Sequence, residues 1–515
     1  MTENNGYRMT RRQVLKMGAA AGLALTLGGT YGCARNASSS GVTIWTPLTV
    51  VGDNDPILQA IEKATGVQIK LQQIDGSVYG QRLNASIATG RIPDIMALQP
   101  AAPDLLEKWA NEGVIAAFEG KVADAAPNVI KEYNEQPALA ELKINGKIYQ
   151  QPIFWGKGTY PNFGLIHVRK DLLDKYGMAP PDTFDELFQF LKMAIDRGEK
   201  GVLFNGSGGV NGLLSAFAGA YGIPYTGWVK VDDHWEYAAI QPQMKEALLL
   251  FRKMVAMGLV NPVSWSTGSG ATTARDLYVS GQGAALIFNG GGHVGRIQND
   301  MDLGGKGYKE WLLPAPTNNA GHRGYTSEPQ YAGTTILGNL KGNNPVGAAK
   351  VINYLLSEEG IKLTVLGIPG RDYKEENGKI TFLPQRTKDG FPKNLGDTGA
   401  HPLASGIVTW VPQEWQDFQL LYGKSEAFKQ WYKQMWQNQG KYQIPSYGQS
   451  VTTPKWGKFV NTGNDLQTRA FLKIVRDSSE KSAAAAFDDF VKKWKAAGGE
   501  AASTEMSDKL SSIYK

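Results

Sequence analysis

The run Gly41-Val42-Thr43-Ile44-Trp45, the segment Pro56-Ile57-Leu58-Gln59-Ala60-Ile61-Glu62-Lys63-Ala64-Thr65-Gly66-Val67-Gln68-Ile69-Lys70-Leu71 and the closing Arg91-Ile92-Pro93-Asp94-Ile95-Met96-Ala97-Leu98 decide the fold. The first run is β-rich. Asp55 can cap the helix that Pro56 opens, because its side chain can accept the unpaired N–H groups of a first turn. Ile57, Leu58, Ile61 and Ala64 recur at helical spacing until Gly66 stops them. Val67 to Leu71 alternates as a strand, Tyr79 to Ala88 reads as a second helix ending at Thr89-Gly90, and Arg91 to Leu98 reads as a third strand. Strand, helix, strand, helix, strand within about 60 residues means βαβ units and a parallel sheet, hence an α/β protein. Ligands of such sheets lie beyond the carboxyl ends of the strands, here the loops after Trp45, Leu71 and Leu98.

The remaining chain is globular in composition. It has 515 residues, 42% hydrophobic and 20% charged, a length for roughly two to four domains. A single Cys cannot build a disulfide, a thiolate zinc cluster or an iron–sulfur site. The formal charge of +6 comes from interspersed acids and bases and gives no nucleic-acid footprint. Gly makes up 61 residues, about 12% against a usual 7%, so many loops must turn tightly.

The N-terminus reads as an address. Thr10-Arg11-Arg12-Gln13-Val14-Leu15-Lys16 precedes the weakly apolar Met17 to Gly29, which at 13 residues is too short to span a bilayer. The arginine pair and Ala/Gly-rich core resemble a twin-arginine export signal over residues 1–32. Cys33 stands where a bacterial lipoprotein signal places its lipid acceptor, with Thr30 departing from the usual Leu three residues earlier. Residues 33–41 form a flexible tether. Removing residues 1–32 takes away Arg8, Arg11, Arg12, Lys16 and Glu3 and lowers the charge from +6 to +3. So nearly neutral a body leaves membrane attachment to acyl chains.

Glu62-Lys63-Ala64-Thr65-Gly66-Val67, followed by Ile87-Ala88-Thr89-Gly90-Arg91-Ile92-Pro93-Asp94-Ile95, resembles the opening of extracellular solute-binding proteins of ABC sugar importers. The likeness continues in order through Tyr149-Gln150-Gln151-Pro152, Gly164-Leu165-Ile166-His167-Val168-Arg169-Lys170-Asp171-Leu172-Leu173 and Pro181-Asp182-Thr183-Phe184-Asp185-Glu186-Leu187. Tyr354-Leu355-Leu356-Ser357-Glu358-Glu359-Gly360 and Gly370-Arg371-Asp372-Tyr373 before Asn377-Gly378-Lys379 are similar to later markers of the large lipoprotein subgroup from Gram-positive bacteria. The resemblance implies a two-lobed fold with crossing hinge segments and a helical C-terminal region. It places one lobe at 42–155 plus 285–333 and the other at 156–284 plus 334–515, with crossings at 152–164, 284–292 and 330–336. Gly156, Gly158, Gly290, Gly291, Gly292 and Gly333 suit a hinge. Neither Gly290-Gly291-Gly292 nor Gly206-Ser207-Gly208-Gly209 carries the Lys-Ser/Thr of a phosphate loop.

Sugar recognition needs flat aromatic faces for the ring and planar polar groups for its hydroxyls. Trp45, Trp155, Trp228, Trp265 and Trp410 lie in irregular segments, where function concentrates. In contrast, Trp431 with Met435, and Phe487 with Phe490 and Trp494, form helical core stripes. The resemblance adds Tyr160 at the first crossing and marks Asp75, Gln99, Asn289, His293 and Glu328 as polar ligand contacts beside Trp155, Trp265 and Trp410. The five His show no metal-helix spacing, Asp53-Asn54-Asp55 lacks the Gly and Glu of an EF-hand, and no G-x-S-x-G elbow occurs. No cofactor, metal or catalytic residue is therefore expected.

The resulting expectation is a monomeric, non-enzymatic receptor on the extracellular face of the cell membrane, held through its lipid only. It captures a carbohydrate, most simply an oligosaccharide, for ABC permease subunits driven by a separate ATPase. The competing readings are an exported carbohydrate-active enzyme and a receptor for a non-sugar solute such as a peptide.

Overall fold

In a computed structural model of the chain, the residues described are 41–46, 55–98, 103–154, 164–206, 209–266, 273–288, 293–327, 331–383, 418, 421–422 and 424–514. The signal segment and Cys33 lie outside them.

The first sheet starts as the sequence predicts. Asp55 accepts the Ile57 and Leu58 N–H groups at 2.9 and 3.1 Å and caps helix α1 (Pro56–Thr65), and Gly66, at φ +68°, ends it. Strand β1 (Gly41–Thr46) pairs in parallel with β2 (Gln68–Gln73) and with β3 (Ile95–Leu98), and helix α2 (Gly76–Ala88) makes the second crossover. The edge strand opposite β2 is β4 (Gln150–Phe154).

A second sheet begins at β5 (Leu165–Arg169) and continues with β6 (Val202–Leu203). Between them runs helix α3 (Phe184–Asp196), opened by a capping box in which Thr183 accepts the Glu186 N–H and Glu186 accepts the Thr183 N–H, each at 3.1 Å. A hairpin, β7 (Trp228–Val231) and β8 (His234–Tyr237), leads to helix α4 (Pro242–Ala256) and helix α5 (Thr273–Val279). Then follow β9 (Ala285–Phe288), helix α6 (His293–Leu303), β10 (Glu310–Leu312) and β11 (Tyr325–Ser327). The chain returns to the first body as β12 (Tyr331–Leu337), helix α7 (Pro345–Leu355) and the hairpin β13 (Tyr373–Glu376) with β14 (Lys379–Phe382). It ends with helix α8 (Glu426–Gly440), β15 (Gln443–Pro445) and helices α9 (Pro454–Arg476), α10 (Glu480–Trp494) and α11 (Glu500–Ile513).

Pairing corrects the expected partition. The sheets run β2-β1-β3-β12-β4 and β10-β5-β9-β6, and β11 pairs with β15. Residues 285–327 thus belong with the second sheet, not the first. Residues 331–382 belong with the first, where Ala348, Ile352 and Leu355 of α7 share a core with Ile44, Ile61 and Val129. The segment 284–292 is therefore no crossing, whereas 155–163 and 328–330 both join one sheet to the other, and a third passage lies between β14 and α8. Ala285-Leu286-Ile287-Phe288 is buried on both faces, so its composition carries no mark of which sheet holds it.

Asp94 binds the returning chain into the first sheet. Its carboxylate accepts the Thr43 N–H at 2.7 Å and hydroxyl at 2.9 Å from β1, and the Asn344 N–H at 2.7 Å and Asn343 Nδ2–H at 3.1 Å from the turn after β12. In the second sheet the buried His167 Nδ1 and Glu310 Oε1 lie 2.5 Å apart across β5 and β10, and burial pushes the Glu310 carboxyl well above the usual range.

The aromatic stripes of the C-terminal helices are core, as their spacing predicts. Phe487 and Phe490 are buried, and Trp494 stacks on Tyr237 at 5.3 Å with 7° between planes. Trp228, expected among the cleft aromatics, is core as well: it is 1% exposed and packs on Tyr237 and Trp456 at 5.5 and 5.1 Å. Its place at the start of β7, against Trp456 of α9, overrides the loop-like composition around it.

Removing the Asp94 carboxylate takes a shared acceptor from four N–H and O–H groups in a part-buried site. Asp94→Ala should therefore lower the unfolding free energy by about 2–4 kcal/mol in urea titrations, and Asp94→Asn, which keeps one acceptor, by less.

Candidate functional site

The parallel strands β1, β2 and β3 present their carboxyl ends at one edge of the first sheet, and β6 and β9 present theirs at one edge of the second. On the first sheet, Trp45, next to last in β1, is half-buried, with its indole N–H donating to Gln72 Oε1 at 3.0 Å. The Tyr79 hydroxyl of α2 donates to the Trp45 carbonyl at 3.1 Å, and burial pushes that phenol above its usual range. Asp75 is exposed in the turn between β2 and α2, where its carbonyl accepts the Val78 N–H.

On the second sheet, the chain beyond β6 is tied to the turn Pro262–Trp265. Ser264 Oγ accepts the Phe204 N–H at 3.2 Å and donates to the Val202 carbonyl, and the Ser264 carbonyl accepts the Gly206 N–H at 2.9 Å. This tie places Trp265 edge-on to Phe204, centroids 5.0 Å apart at 84°, with the Arg476 guanidinium 4.3 Å above its ring. One face of the half-buried indole is thus covered by a cation. Asn205 Oδ1 accepts the Ala274 N–H at 3.2 Å. Asn211 opens a short turn, Asn211–Leu214, and its buried Oδ1 has no hydrogen-bond partner among the described residues, an acceptor suited to an incoming hydroxyl. That turn presses on Gly164, where the first crossing enters β5. Gly164 has φ +65°, and a Cβ there would come 2.6 Å from the Gly212 carbonyl oxygen.

Of the sequence-predicted contacts, Asp75 stands at the strand ends of the first sheet and Trp265 at those of the second. His293 is the first residue of α6, directly after the loop that follows β9. Gln99, Trp155, Tyr160, Asn289, Glu328 and Trp410 lie outside the described residues. Sequence reading missed Asn205, Asn211, Tyr79 and Arg476. The signal for the two amides was the Gly-rich run Phe204-Asn205-Gly206-Ser207-Gly208-Gly209-Val210-Asn211, whose glycines bring backbone close and whose only planar polar side chains are those two. Among the described residues, no group of three or more His, Cys, Asp or Glu side chains could hold a metal ion, and Asp55 is engaged in the α1 cap.

Two sheets with aromatic and amide side chains at their strand ends, joined by segments that pass back and forth, define a two-lobed binding protein. The chain belongs to the family of bacterial extracellular solute-binding proteins, whose pattern matches residues 49–362. It is 23% identical over 492 residues to lipoprotein LipO of Bacillus subtilis (strain 168), covering 90% of this chain and 89% of that one. The fold is shared with the substrate-binding protein FusA of Streptococcus pneumoniae, solved in complex with kestose (TM-score 0.68, 18% identity, 92% of this chain and 99% of that one). It is shared equally with an HMO-binding solute-binding protein of Bifidobacterium longum infantis (TM-score 0.69, 17% identity, 92% and 99%).

Gly164→Ala forces a side chain into left-handed backbone and against Gly212. A loss of about 1–3 kcal/mol in urea unfolding is expected, with faster amide hydrogen exchange concentrated in residues 211–215.

Proposed function

We propose that this chain is the substrate-binding component of an ABC importer, capturing a carbohydrate, most simply an oligosaccharide, between its lobes and delivering it to permease subunits driven by a separate ATPase. The observation that carries this reading is family membership over most of the chain together with a fold shared end to end with a protein solved holding kestose. Aromatic and amide side chains at the strand ends support it, since indole faces suit sugar rings and a buried amide oxygen suits a hydroxyl. No bond is made or broken in this reading. Ligand stabilises the apposed lobes by touching both, because only a difference in affinity between two arrangements shifts their populations.

Kestose, longer fructooligosaccharides and uronate oligosaccharides provide a first panel for thermal-shift screening. A binder should raise the melting temperature while chromatography of the incubated sugar shows no new product; turnover would replace this reading with that of an exported enzyme. A panel confined to peptides that stabilises the protein, with no sugar doing so, would move it to another solute class. For the sugar that binds, Trp155→Ala and Trp265→Ala should each weaken affinity by roughly tenfold in calorimetry, the size of one lost stacking contact.

The same reading has Cys33 carrying the lipid that holds a monomeric receptor at the extracellular face of the cell membrane. Cys33→Ser should shift the protein from the membrane pellet to the culture medium and abolish incorporation of labelled palmitate. Membrane retention of that variant would overturn the anchor.

A further inference from the structure

Glu141 belongs to the first lobe. It lies in the turn Pro137–Leu142, whose Leu139 and Leu142 are buried in the first core, and it is 5% exposed. Its hydrogen-bond partners come from the other lobe. Glu141 Oε1 accepts the Gly448 N–H at 2.7 Å and the hydroxyl of Tyr514, and the Ser450 N–H also favours the ionised carboxylate. Gly448 is held by the second core, because a Cβ there would meet Trp228 and Leu510. The Tyr514 ring is lodged against Trp235 and Tyr447 at 5.3 and 5.0 Å. Among the described residues, a buried carboxylate of one lobe is thus paired with donors of the other, an arrangement that separation of the lobes would break as a unit.

Its position gives it leverage. Gln150, the first residue of β4, donates its side-chain N–H to the Leu142 carbonyl, so the turn holding Glu141 sits at the start of that edge strand. The crossing segment leaves the other end of the same strand, about 15 Å away at 3.3 Å per residue. Rotation about the crossings therefore swings the Glu141 end by a distance no hydrogen bond can follow.

We propose that Glu141 with Gly448 and Tyr514 is a further tie between the lobes, which sets the balance between lobe arrangements, and hence ligand affinity, from the end of β4 away from the crossing. The proposal rests on the two-lobed fold and not on the identity of the solute. It has a pH sign. Burial raises the Glu141 carboxyl above its usual value, while separation returns it to water and to an ordinary value near 4.3. The joined arrangement then binds the proton more tightly, so it is favoured fully below the ordinary value and loses ground as pH rises through the raised one. The charged and titratable groups beside it are Tyr514, Lys509, Glu107 and Lys143. The last three line a cavity of about 40 Å³ with Glu141, room for roughly two or three ordered waters.

Spin labels at Lys131→Cys of the first lobe and Arg469→Cys of the second, both on exposed side chains, report the interlobe distance in the full chain carrying Cys33→Ser. Without ligand, Glu141→Ala and Tyr514→Phe should each broaden or shift the distance distribution. Glu141→Gln, which keeps an acceptor oxygen, should retain it. The parent distribution should also shift toward the joined distance as pH falls from about 7 to 5, and the Glu141→Gln distribution should not. Circular dichroism confirms that each variant folds, and if Glu141→Ala does not, Tyr514→Phe, which removes one hydroxyl, decides alone. Distributions of the folded variants that superimpose on the parent would overturn the proposal and leave Glu141 as local packing.

Discussion

The Asp94 carboxylate is the constraint on which the two-lobed arrangement depends. Up to β3 the chain is a local βαβ unit that could have closed as a small parallel sheet. Asp94 offers acceptors on two sides, to Thr43 in β1 and to the Asn343-Asn344 turn that follows β12. An antiparallel strand from much later in the chain is thereby seated between β3 and β4. The entropy of closing so long a loop grows only with the logarithm of its length, so several charge-assisted hydrogen bonds and a buried strand can offset it. Once β12 is seated, the chain between β4 and β12 has to leave and come back, and what it builds in between is the sheet of the second lobe, which the C-terminal helices later cover.

The geometry of that departure and return makes a hinge. Phe154, the last residue of β4, pairs with Tyr331, the first of β12, and the register shifts between Tyr331 and Gly333. β4 and β12 thus lie side by side where the chain leaves the first sheet and where it returns. An irregular register weakens the ladder at that place. The bodies so joined have separate cores: Ile44, Leu58 and Ile352 in one, Phe188, Phe251 and Trp494 in the other.

Local order was legible in the sequence and long-range pairing was not. The α1 cap at Asp55, its stop at Gly66, the three parallel strands and the C-terminal aromatic stripes all follow from interactions within one or two turns or from periodicity, which spacing records directly. The assignment of β9 to the second sheet and β12 to the first depends on partners roughly 80 to 240 residues away, and a short strand buried on both faces looks the same in either. Pro93-Asp94 was recognisable as a resemblance, yet its physical role needs Asn343 and Asn344 beside it. Trp228 was misread for the same reason, since a helix packed over a strand is invisible in the strand's own residues. At the site, aromatic residue type pointed to Trp265, which stands at the second sheet's strand ends. It could not show that Arg476, two hundred residues later, covers one of its faces.

That covered face bears on how binding and lobe movement are divided. A solute that touched only the strand ends of one lobe would be held equally in every lobe arrangement and would shift none of them, however tightly it bound. Selective closure requires contacts completed only when both sheets meet the same molecule. Among the described residues, the groups at the strand ends are incompletely satisfied beforehand: Asn211 has a buried oxygen without a donor, and Trp265 has a cation over one face. An unpaired buried acceptor costs about 1–3 kcal/mol, which a correctly placed hydroxyl recovers and a misplaced one does not. Discrimination between solutes can then reside in these few groups, whereas the resting balance of the lobes can reside in contacts such as that of Glu141 with Gly448, at the far end of β4 from the crossing. Separating the two lets affinity and selectivity vary independently along one chain.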